Sequence, residues 1–363
     1  MHKIIINGAN GYVASYFIKE LLARNYEVVA FARDSKNIPA VRRVLNVLKK
    51  ISNKQPLNTD KLQIHSYSLL SENYAIPEDR LKNIFEGDID FYHFAACLKF
   101  SKKDKEEIFE TNAGGTENSL KIFLKHASPS SRFFFISTAY SCGKTSVPVK
   151  EIFFDDDTGE YRNYYEHSKR AAENIVKKYI DQFGIKAHIL RLSQVIGDNI
   201  SGITTTDYGI FDFVKRIYSF SKKYPRETVR IKVNPNGTQN LISIDNLNRY
   251  LLKTTVTQNL PTIINIVGRQ SLKNDDIIKC IGTLIPVDLI QEKNLKQEDM
   301  TSLERLVAAG MAFTGGYADL NLKFETKNLD ALNPAPDDRV KVKSLQKMIE
   351  YFIKEQSNTR NDH

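Results

Sequence analysis

The sequence contains few cysteines and no spacing typical of metal ligands. Cys97, Cys142 and Cys280 are odd in number and form no Cys-x-x-Cys or Cys/His pattern. This arrangement argues against a disulfide framework and against a zinc site. We therefore expect no bound metal, and we expect a reducing compartment, the cytoplasm, as the location.

Long apolar runs are lacking as well. Charged residues interrupt even the most apolar stretches within about ten positions, whereas a membrane-spanning helix needs roughly 20 apolar residues. The first residues, MHKIIING, run directly into a strand pattern, without the apolar core and cleavage site of a secretion signal. We expect neither a membrane span nor secretion.

The chain has an excess of positive charge but no basic block. Its 52 Lys and Arg residues against 43 Asp and Glu residues leave a formal net charge of +9. Because the basic residues are scattered, the pattern does not favour nucleic-acid binding. Small molecules that carry phosphate, or an acidic partner, explain the charge equally well, and the oligomeric state is not indicated.

Short apolar strands alternate with amphipathic helical stretches over the first two-thirds of the chain. This alternation predicts an α/β fold with a doubly wound parallel sheet of the Rossmann type. The predicted strands are Lys3–Asn7, Glu27–Ala32, Leu62–Tyr67, Asp90–Ala95, Arg132–Ser137, Ala187–Leu192 and Ile263–Val267.

The rhythm changes after Gly197, which suggests a second region. We expect residues 1–200 to form a Rossmann domain that a strand near 261–268 completes. Residues 201–260 would be inserted substrate-binding elements, and residues 269–354 a smaller, mostly helical C-terminal substrate-binding region. The polar residues 355–363 are expected to fray.

The segment NGANGYVA at residues 7–14 lies between the first strand and a helix. Gly8 permits a tight turn, Gly11 lets backbone N–H groups approach a pyrophosphate, and Ala14 lets the helix pack closely on the strand. The segment therefore predicts a dinucleotide site.

The end of the second strand bears on which dinucleotide binds. A carboxylate there binds the ribose 2′-hydroxyl of NAD, whereas an arginine accommodates the 2′-phosphate of NADP. Arg33 comes first at this position, and Arg42 and Arg43 add positive charge. We predict NADP(H); a shift of one position would instead make Asp34 the ribose ligand and favour NAD.

Tyr165 and Lys169 are four residues apart in an amphipathic stretch, which puts them on one helical face. A phenol is a weak acid near neutrality, but a nearby ammonium stabilises its anion. Thr138, at the carboxyl end of the fifth strand, would hold a carbonyl oxygen beside that phenol.

The order of motifs resembles the extended short-chain dehydrogenase/reductase superfamily over residues 3–270. The glycine turn is followed by HFAA at 93–96, NAGGT at 112–116, STAY at 137–140 and NYYEHSK at 163–169. The resemblance implies that Thr138, Tyr165 and Lys169 form the catalytic set. It places these residues along the cofactor: Gly8, Asn10, Gly11, Tyr12, Val13, Arg33, Ala95, Ala96, Asn112, Tyr165 and Lys169.

Within that superfamily the chain is most similar to the thioester-reductase and fatty-acyl-reductase branch, which is also called male-sterility-like. The segment SQVIGDNISG at 193–202 and the residues after His93 and Ser137 look like that branch's signatures. Two positions depart from the pattern. Ser68 stands near the expected adenine-binding acid, and Arg191 is followed by Leu192 instead of proline.

The branch implies an NADPH-dependent reductase that transfers hydride to an acyl thioester on CoA or a carrier protein, or to the derived aldehyde. An acyl-carrier protein is therefore a candidate partner. Two alternatives stay open: an NAD-dependent nucleotide-sugar epimerase or dehydratase on the same fold, and a ketone or aldehyde reductase for free small molecules. The complete set of Thr138, Tyr165 and Lys169 argues against a non-enzymatic member.

Overall fold

The computed structural model describes residues 3–52, 55–154, 159–310, 316–332 and 339–361. The chain divides into two units. The first comprises Met1–Leu192, Asn248–Ile266 and Phe324–Pro334, and the second comprises Ser193–Leu247, Val267–Lys323 and Ala335–His363.

The strands are short and mostly buried. In chain order they are β1 (Lys3–Asn7), β2 (Glu27–Ala32), β3 (Leu62–Ser66), β4 (Ile89–His93), β5 (Arg132–Thr138), β6 (Lys186–Leu192), β7 (Gln194–Ile196), β8 (Thr228–Ile231), β9 (Thr238–Gln239), β10 (Leu241–Ser243), β11 (Ile263–Ile266), β12 (Leu272–Lys273) and β13 (Asp288–Gln291).

The α-helices are α1 (Tyr12–Ala23), α2 (Ala40–Ile51), α3 (Glu78–Ile84), α4 (Lys105–Phe109), α5 (Gly115–His126), α6 (Tyr164–Phe183), α7 (Ile210–Lys223), α8 (Ile244–Val256), α9 (Asn274–Leu284), α10 (Ser302–Gly310), α11 (Lys327–Leu332) and α12 (Val342–Asn361). Within the described ranges, none of the helices has the length and apolar composition needed to cross a membrane.

The first unit is built on one seven-stranded sheet, in the order β11-β6-β5-β4-β1-β2-β3, with every pair parallel. The predicted doubly wound Rossmann-type sheet is confirmed. Chain order reverses between β1 and β4, so their carboxyl ends border the crevice where such sheets bind ligands. The side chains Ile4–Ile6 and Phe133–Phe135 are almost fully buried, as expected for strands covered on both faces.

The β4 strand ends earlier than predicted, at His93 instead of Ala95. The cause is a side chain of the neighbouring strand: the Ala95 amide donates a hydrogen bond to Asn7 Oδ1 at 3.0 Å. This bond draws the chain across the end of β1 and out of the sheet ladder.

The boundary of the first unit also differs from the one predicted at residue 200. Residues 193–200 fall in the second unit, whereas residues 248–260, predicted to be part of an insertion, fall in the first. Contacts explain the second difference. Arg132 donates to the carbonyl oxygens of Thr255 and Thr257, and the Tyr92 and Thr254 hydroxyls are 2.7 Å apart.

The second unit combines helices with short strand pairs, β10 with β7, β12 with β9 and β13 with β8. Its apolar core includes Phe211, Phe213, Ile281 and Ile349. Helix α10 ends at Gly310, the last residue of one described range.

The frayed tail predicted from residue 355 is wrong over 355–361, because α12 continues to Asn361. The Ser357 hydroxyl lies 2.6 Å from that of Tyr218, and Phe352 packs on Phe211 with ring centroids 5.2 Å apart. These contacts hold the end of α12 against α7.

Candidate active site

The glycine turn joins β1 to α1 at the carboxyl edge of the sheet. Gly8 has φ +64°, and a Cβ there would lie 2.8 Å from the Ala95 amide nitrogen. Gly11 is exposed and precedes α1 without a side-chain cap, while Ala14 is buried against the strand. Open N–H groups at a helix N-terminus beside a close backbone approach fit the pyrophosphate of a dinucleotide. Asn10, Tyr12 and Val13 lie half-buried in the same turn and the start of α1.

A buried hydrogen-bond chain supports this turn. Asn7 Oδ1 accepts from Ala95, so Asn7 Nδ2 faces His93 Nδ1 at 2.8 Å and donates to it. His93 Nε2 then donates to Thr116 Oγ1 at 3.3 Å, which in turn donates to the Asn112 carbonyl oxygen at 2.6 Å. Burial, and then the charge of Lys169, lower the pKa of His93 well below its usual value. His93 is therefore neutral and structural, with its proton on Nε2.

Asn112 connects the loop after β4 to α6. Its Oδ1 accepts from the Cys97 amide at 2.7 Å, and its Nδ2 donates to the Cys97 carbonyl oxygen and to Ser168 Oγ. Asn112 lies in a π-helical turn, Glu110–Gly114, and is almost fully buried. Its amide thus positions the loop that carries Ala95 and Ala96, while a direct contact with a cofactor stays a prediction.

At the end of β2, Arg33 and Asp34 have different surroundings. Asp34 Oδ1 accepts from the Ala40 amide at 2.7 Å and Oδ2 accepts from Ser66 Oγ at 2.5 Å. These bonds, the one from Ser66 first, lower the pKa of the Asp34 carboxyl group. Arg33 is exposed, and its carbonyl oxygen accepts from Arg43. The carboxylate is thus engaged by Ala40 and by Ser66 at the end of β3, whereas Arg33 is exposed.

Tyr67, a residue that the sequence pattern did not single out, also lies at the glycine turn, next to the Gly8 backbone. Burial raises the pKa of its phenol to about 12, against a hydrogen bond from the Gly8 backbone and the charge of Arg33. Ser68, which stands near the position expected for the adenine-binding acid, accepts a hydrogen bond from the Ser71 hydroxyl at 2.8 Å. The sequence indicated this location of Tyr67 only by placing an aromatic residue directly after β3.

Thr138 is the last residue of β5, and Lys169 bonds a backbone carbonyl group of the same strand. The Thr138 hydroxyl donates to the Leu192 carbonyl oxygen at 3.4 Å and accepts from the Tyr140 amide at 3.3 Å, both long bonds. Lys169 Nζ donates to the Ile136 carbonyl oxygen at 2.6 Å, two residues before Thr138. Burial lowers the pKa of Lys169 to about 7, against the opposing effect of Glu173.

Tyr165 lies in the first turn of α6, which Asn163 caps through a hydrogen bond from the Glu166 amide. Its ring meets that of Phe100 edge-on, with centroids 5.6 Å apart. Burial, and then the charge of Glu166, raise the pKa of the Tyr165 phenol. The hydroxyl group is therefore protonated, as a proton donor must be.

Two buried ion pairs that involve α6 were not predicted. Arg162 pairs with Glu166 at 3.0 Å and donates to the Gly143 carbonyl oxygen, which ties the loop after Thr138 to the start of α6. Arg191 pairs with Glu173 at 2.7 Å. Charged residues are common on helix surfaces, so most of these residues gave no reason to expect burial. The one indication was that Glu173, four residues beyond Lys169, lies on the same helical face.

The parallel sheet, the glycine turn and the Tyr-x-x-x-Lys helix together define an extended short-chain dehydrogenase/reductase, a class of oxidoreductases that bind NAD or NADP. Residues 6–249 match the family described as Male sterility protein. The chain belongs to this family, as the sequence resemblance predicted.

Two curated relatives illustrate the range of similar proteins. Nonribosomal peptide synthetase asaC of Aspergillus flavus is 25% identical over 70% of this chain and 25% of its own length. Cinnamoyl-CoA reductase CAD2 of Medicago truncatula is 26% identical over 56% of this chain and 60% of its own length. The chain thus spans a quarter of the first relative and three-fifths of the second.

Solved structures share the fold over nearly the whole chain. The terminal R domain from the myxalamid PKS-NRPS pathway superposes with TM-score 0.79 at 13% identity, covering 98% of this chain and 92% of that one. UDP-glucuronic acid 4-epimerase from Bacillus cereus superposes with TM-score 0.68 at 18% identity, covering 98% and 99%. At these identities the similarity concerns the fold alone.

Proposed function

We propose that this protein is an NADPH-dependent reductase that transfers hydride to a carbonyl group, of an acyl thioester or of the derived aldehyde. The observation that carries the proposal is the junction of α6 and β5. There Lys169 Nζ bonds the Ile136 carbonyl oxygen at 2.6 Å. Ile136 is two residues before Thr138 on β5, and Lys169 is four residues after Tyr165 on α6. Membership of the male-sterility family supports the same reaction class.

The chain's own residues divide the work of the reaction. Bound NADPH supplies the hydride. Thr138 and Tyr165 hold the carbonyl oxygen by hydrogen bonds, and Tyr165 donates the proton to it. The Lys169 ammonium binds ribose hydroxyls and stabilises the phenolate that remains. With a thioester, the reduced adduct releases an aldehyde and a free thiol; with an aldehyde or ketone, the product is an alcohol.

A product assay tests this proposal. The full chain is incubated with NADPH and a panel of acyl-CoA, acyl-carrier, aldehyde, ketone and sugar-nucleotide substrates, and the products are identified by mass spectrometry. Net oxidation of NADPH with formation of an aldehyde or alcohol is expected. Conversion of a sugar nucleotide without net cofactor oxidation would support the epimerase alternative instead.

NADPH preference is proposed from the contrast at the end of β2. The Asp34 carboxylate is bonded by Ala40 and Ser66, while the exposed Arg33 guanidinium is suited to a 2′-phosphate.

Replacing Arg33 with Ala should therefore reduce the ratio of NADPH to NADH affinity by about 10- to 100-fold, since a hydrogen bond to a charged group contributes about 1.5–3 kcal/mol. Fluorescence titration of both cofactors measures the ratio. Asp34→Asn is the matched variant and should leave the ratio nearly unchanged. Equal affinities in the unchanged protein would identify Asp34 as the ribose ligand.

The thioester substrate is proposed to arrive on a phosphopantetheine arm, as CoA or an acyl-carrier protein. Support comes from the family and from two sets of exposed basic residues, at 102–105 and 222–226. Lys222 and Lys223 end α7, where they would meet an acidic carrier surface.

Replacing both Lys222 and Lys223 with Gln should raise KM for an acyl-carrier substrate severalfold at low salt and leave KM for a free aldehyde unchanged. The difference should shrink as salt rises, because the Debye length falls to about 8 Å at physiological ionic strength. Lys49 and Lys50 are also exposed and also end a helix, α2, so their double Gln variant is the matched control. Identical salt profiles for both substrates would exclude charge-guided docking of a carrier.

A further inference from the structure

The Glu173 carboxylate is almost fully buried between α6, β5 and β6, with four hydrogen-bond donors around it. Oε1 accepts from Ser137 Oγ at 2.5 Å, from Ser141 Oγ at 2.8 Å and from Arg191 Nε at 3.1 Å. Oε2 accepts from Arg191 Nη2 at 2.7 Å. Burial alone would raise the pKa of Glu173, but Arg191 and the serine hydroxyls outweigh it and lower that pKa. Glu173 is therefore a carboxylate.

Two of these donors flank Thr138 in the chain. Ser137 immediately precedes it on β5, and Ser141 lies in the turn that follows. Ser137 pairs in register with Arg191, and Thr138 pairs with Leu192, whose carbonyl oxygen accepts the Thr138 hydroxyl. The Glu173 side chain thus binds residues of both β5 and β6 next to Thr138, whose hydroxyl group is proposed to bind the carbonyl oxygen.

Glu173 also lies on the same face of α6 as Tyr165 and Lys169. Residues four apart on a helix share a face, so Glu173 continues the face that Tyr165 and Lys169 occupy on α6. On successive turns, Lys169 bonds the Ile136 carbonyl oxygen and Glu173 bonds the Ser137 hydroxyl. Two consecutive residues of β5 are therefore joined to two consecutive turns of α6.

Groups from three further elements, β4, β5 and β6, surround Lys169. The titratable groups four residues away on its own helix are Tyr165 and Glu173. From β4, Lys169 faces neutral His93, and its Nζ lies 4.0 Å from the centroid of the Phe135 ring on β5. Arg191 on β6 lies beyond Glu173. Burial disfavours the ammonium, and Glu173 is the group that favours it.

We propose that Glu173 is a positioning residue of the active site, which holds the ends of β5 and β6 in register with Tyr165 and Lys169 on α6. Its negative charge also favours the ammonium form of Lys169. The inference rests on the proposed roles of Thr138, Tyr165 and Lys169.

The decisive measurement is the pH dependence of NADPH affinity in the full chain, by fluorescence titration. If the Lys169 ammonium binds the cofactor, affinity falls as pH rises through the pKa of Lys169. Glu173→Gln keeps an oxygen acceptor for the serines and removes the charge, so the pKa of Lys169 drops. The fall in affinity should therefore move to lower pH by about one unit. Turnover with the substrate found by the product assay should decrease more than tenfold.

Glu173→Gln also leaves the buried Arg191 without its counter-charge, which destabilises the fold. The double variant Glu173→Gln with Arg191→Met removes both charges and should regain part of the lost thermal stability while keeping the displaced pH profile. Glu151→Gln is the control. Glu151 is a buried carboxylate of the same unit that accepts from the Asn265 and Asn328 amides, and its variant should lose stability without moving the profile.

A folded double variant with the pH profile of the unchanged protein would overturn the inference, even with the proposed function intact. Failure of the proposed function has a different signature: the unchanged protein would bind no NADPH, or Tyr165→Phe would remain active. Either result would remove the basis of the inference as well.

Discussion

Replacing Tyr165 with Phe is expected to lower kcat by about 100- to 10,000-fold, the range for loss of a general acid. The variant removes only the hydroxyl group. The ring, which packs edge-on against Phe100, is retained, so the start of α6 should keep its position. NADPH affinity should accordingly stay within about twofold, because the hydroxyl group is not expected to supply most of the cofactor's binding energy. Steady-state kinetics and fluorescence titration measure the two quantities.

Tyr164 provides the matched control for this variant. It is the neighbouring residue of α6, with Lys105 Nζ 5.5 Å from its ring centroid. Tyr164→Phe makes the same chemical change one position away and should leave turnover nearly unchanged. Lys169→Ala should reduce both turnover and cofactor affinity. Near-normal rates in Tyr165→Phe would show that another group supplies the proton.

Gly8→Ala should weaken NADPH binding at least tenfold, about 1.4 kcal/mol, and should also lower the free energy of unfolding. Two physical effects combine at this position. A left-handed backbone costs a non-glycine residue about 1 kcal/mol. The added methyl group would also lie 2.8 Å from the Ala95 amide nitrogen, so the turn or the loop after β4 must shift. The shift would displace the backbone N–H groups proposed to bind the pyrophosphate.

Gly184→Ala separates these effects. Gly184 follows α6 with the same φ of +64°, but nothing lies within 4 Å of an added Cβ. This variant carries the backbone cost without the collision, so it should be mildly destabilised and bind NADPH normally. Thermal unfolding and cofactor titration of both variants provide the comparison. Equal NADPH affinities in the two variants would mean that the Gly8 turn does not contact the dinucleotide.

Much of the first unit was predictable because its strands are continuous apolar runs covered on both faces. The seven predicted strands match the seven of the sheet within a few residues. The predicted ends of elements were wrong where contacts with distant residues, and not the local sequence pattern, determine the backbone conformation. The end of β4 depends on the Asn7 side chain, and the helical state of residues 355–361 depends on contacts with α7.

The candidate site was predictable to a different degree. Tyr165 and Lys169 share a helical face by spacing alone, and Thr138 follows from its place at a strand end. Sequence could not decide between Arg33 and Asp34, because adjacent residues at a strand end look alike. In the structure the Asp34 carboxylate accepts hydrogen bonds from Ala40 and Ser66, which supports the proposed NADPH preference.

The sequence by itself determined the individual strands, the glycine turn and the helix with Tyr165 and Lys169, because each depends on residues within a few positions of one another. Only the tertiary structure decided which polar groups are buried together. Glu173 meets Ser137 and Arg191, and Asn7 meets His93, across strands far apart in the chain. Such partners depend on strand order and register, which local periodicity does not encode. The buried polar contacts that hold the candidate site together therefore become visible only in the folded chain.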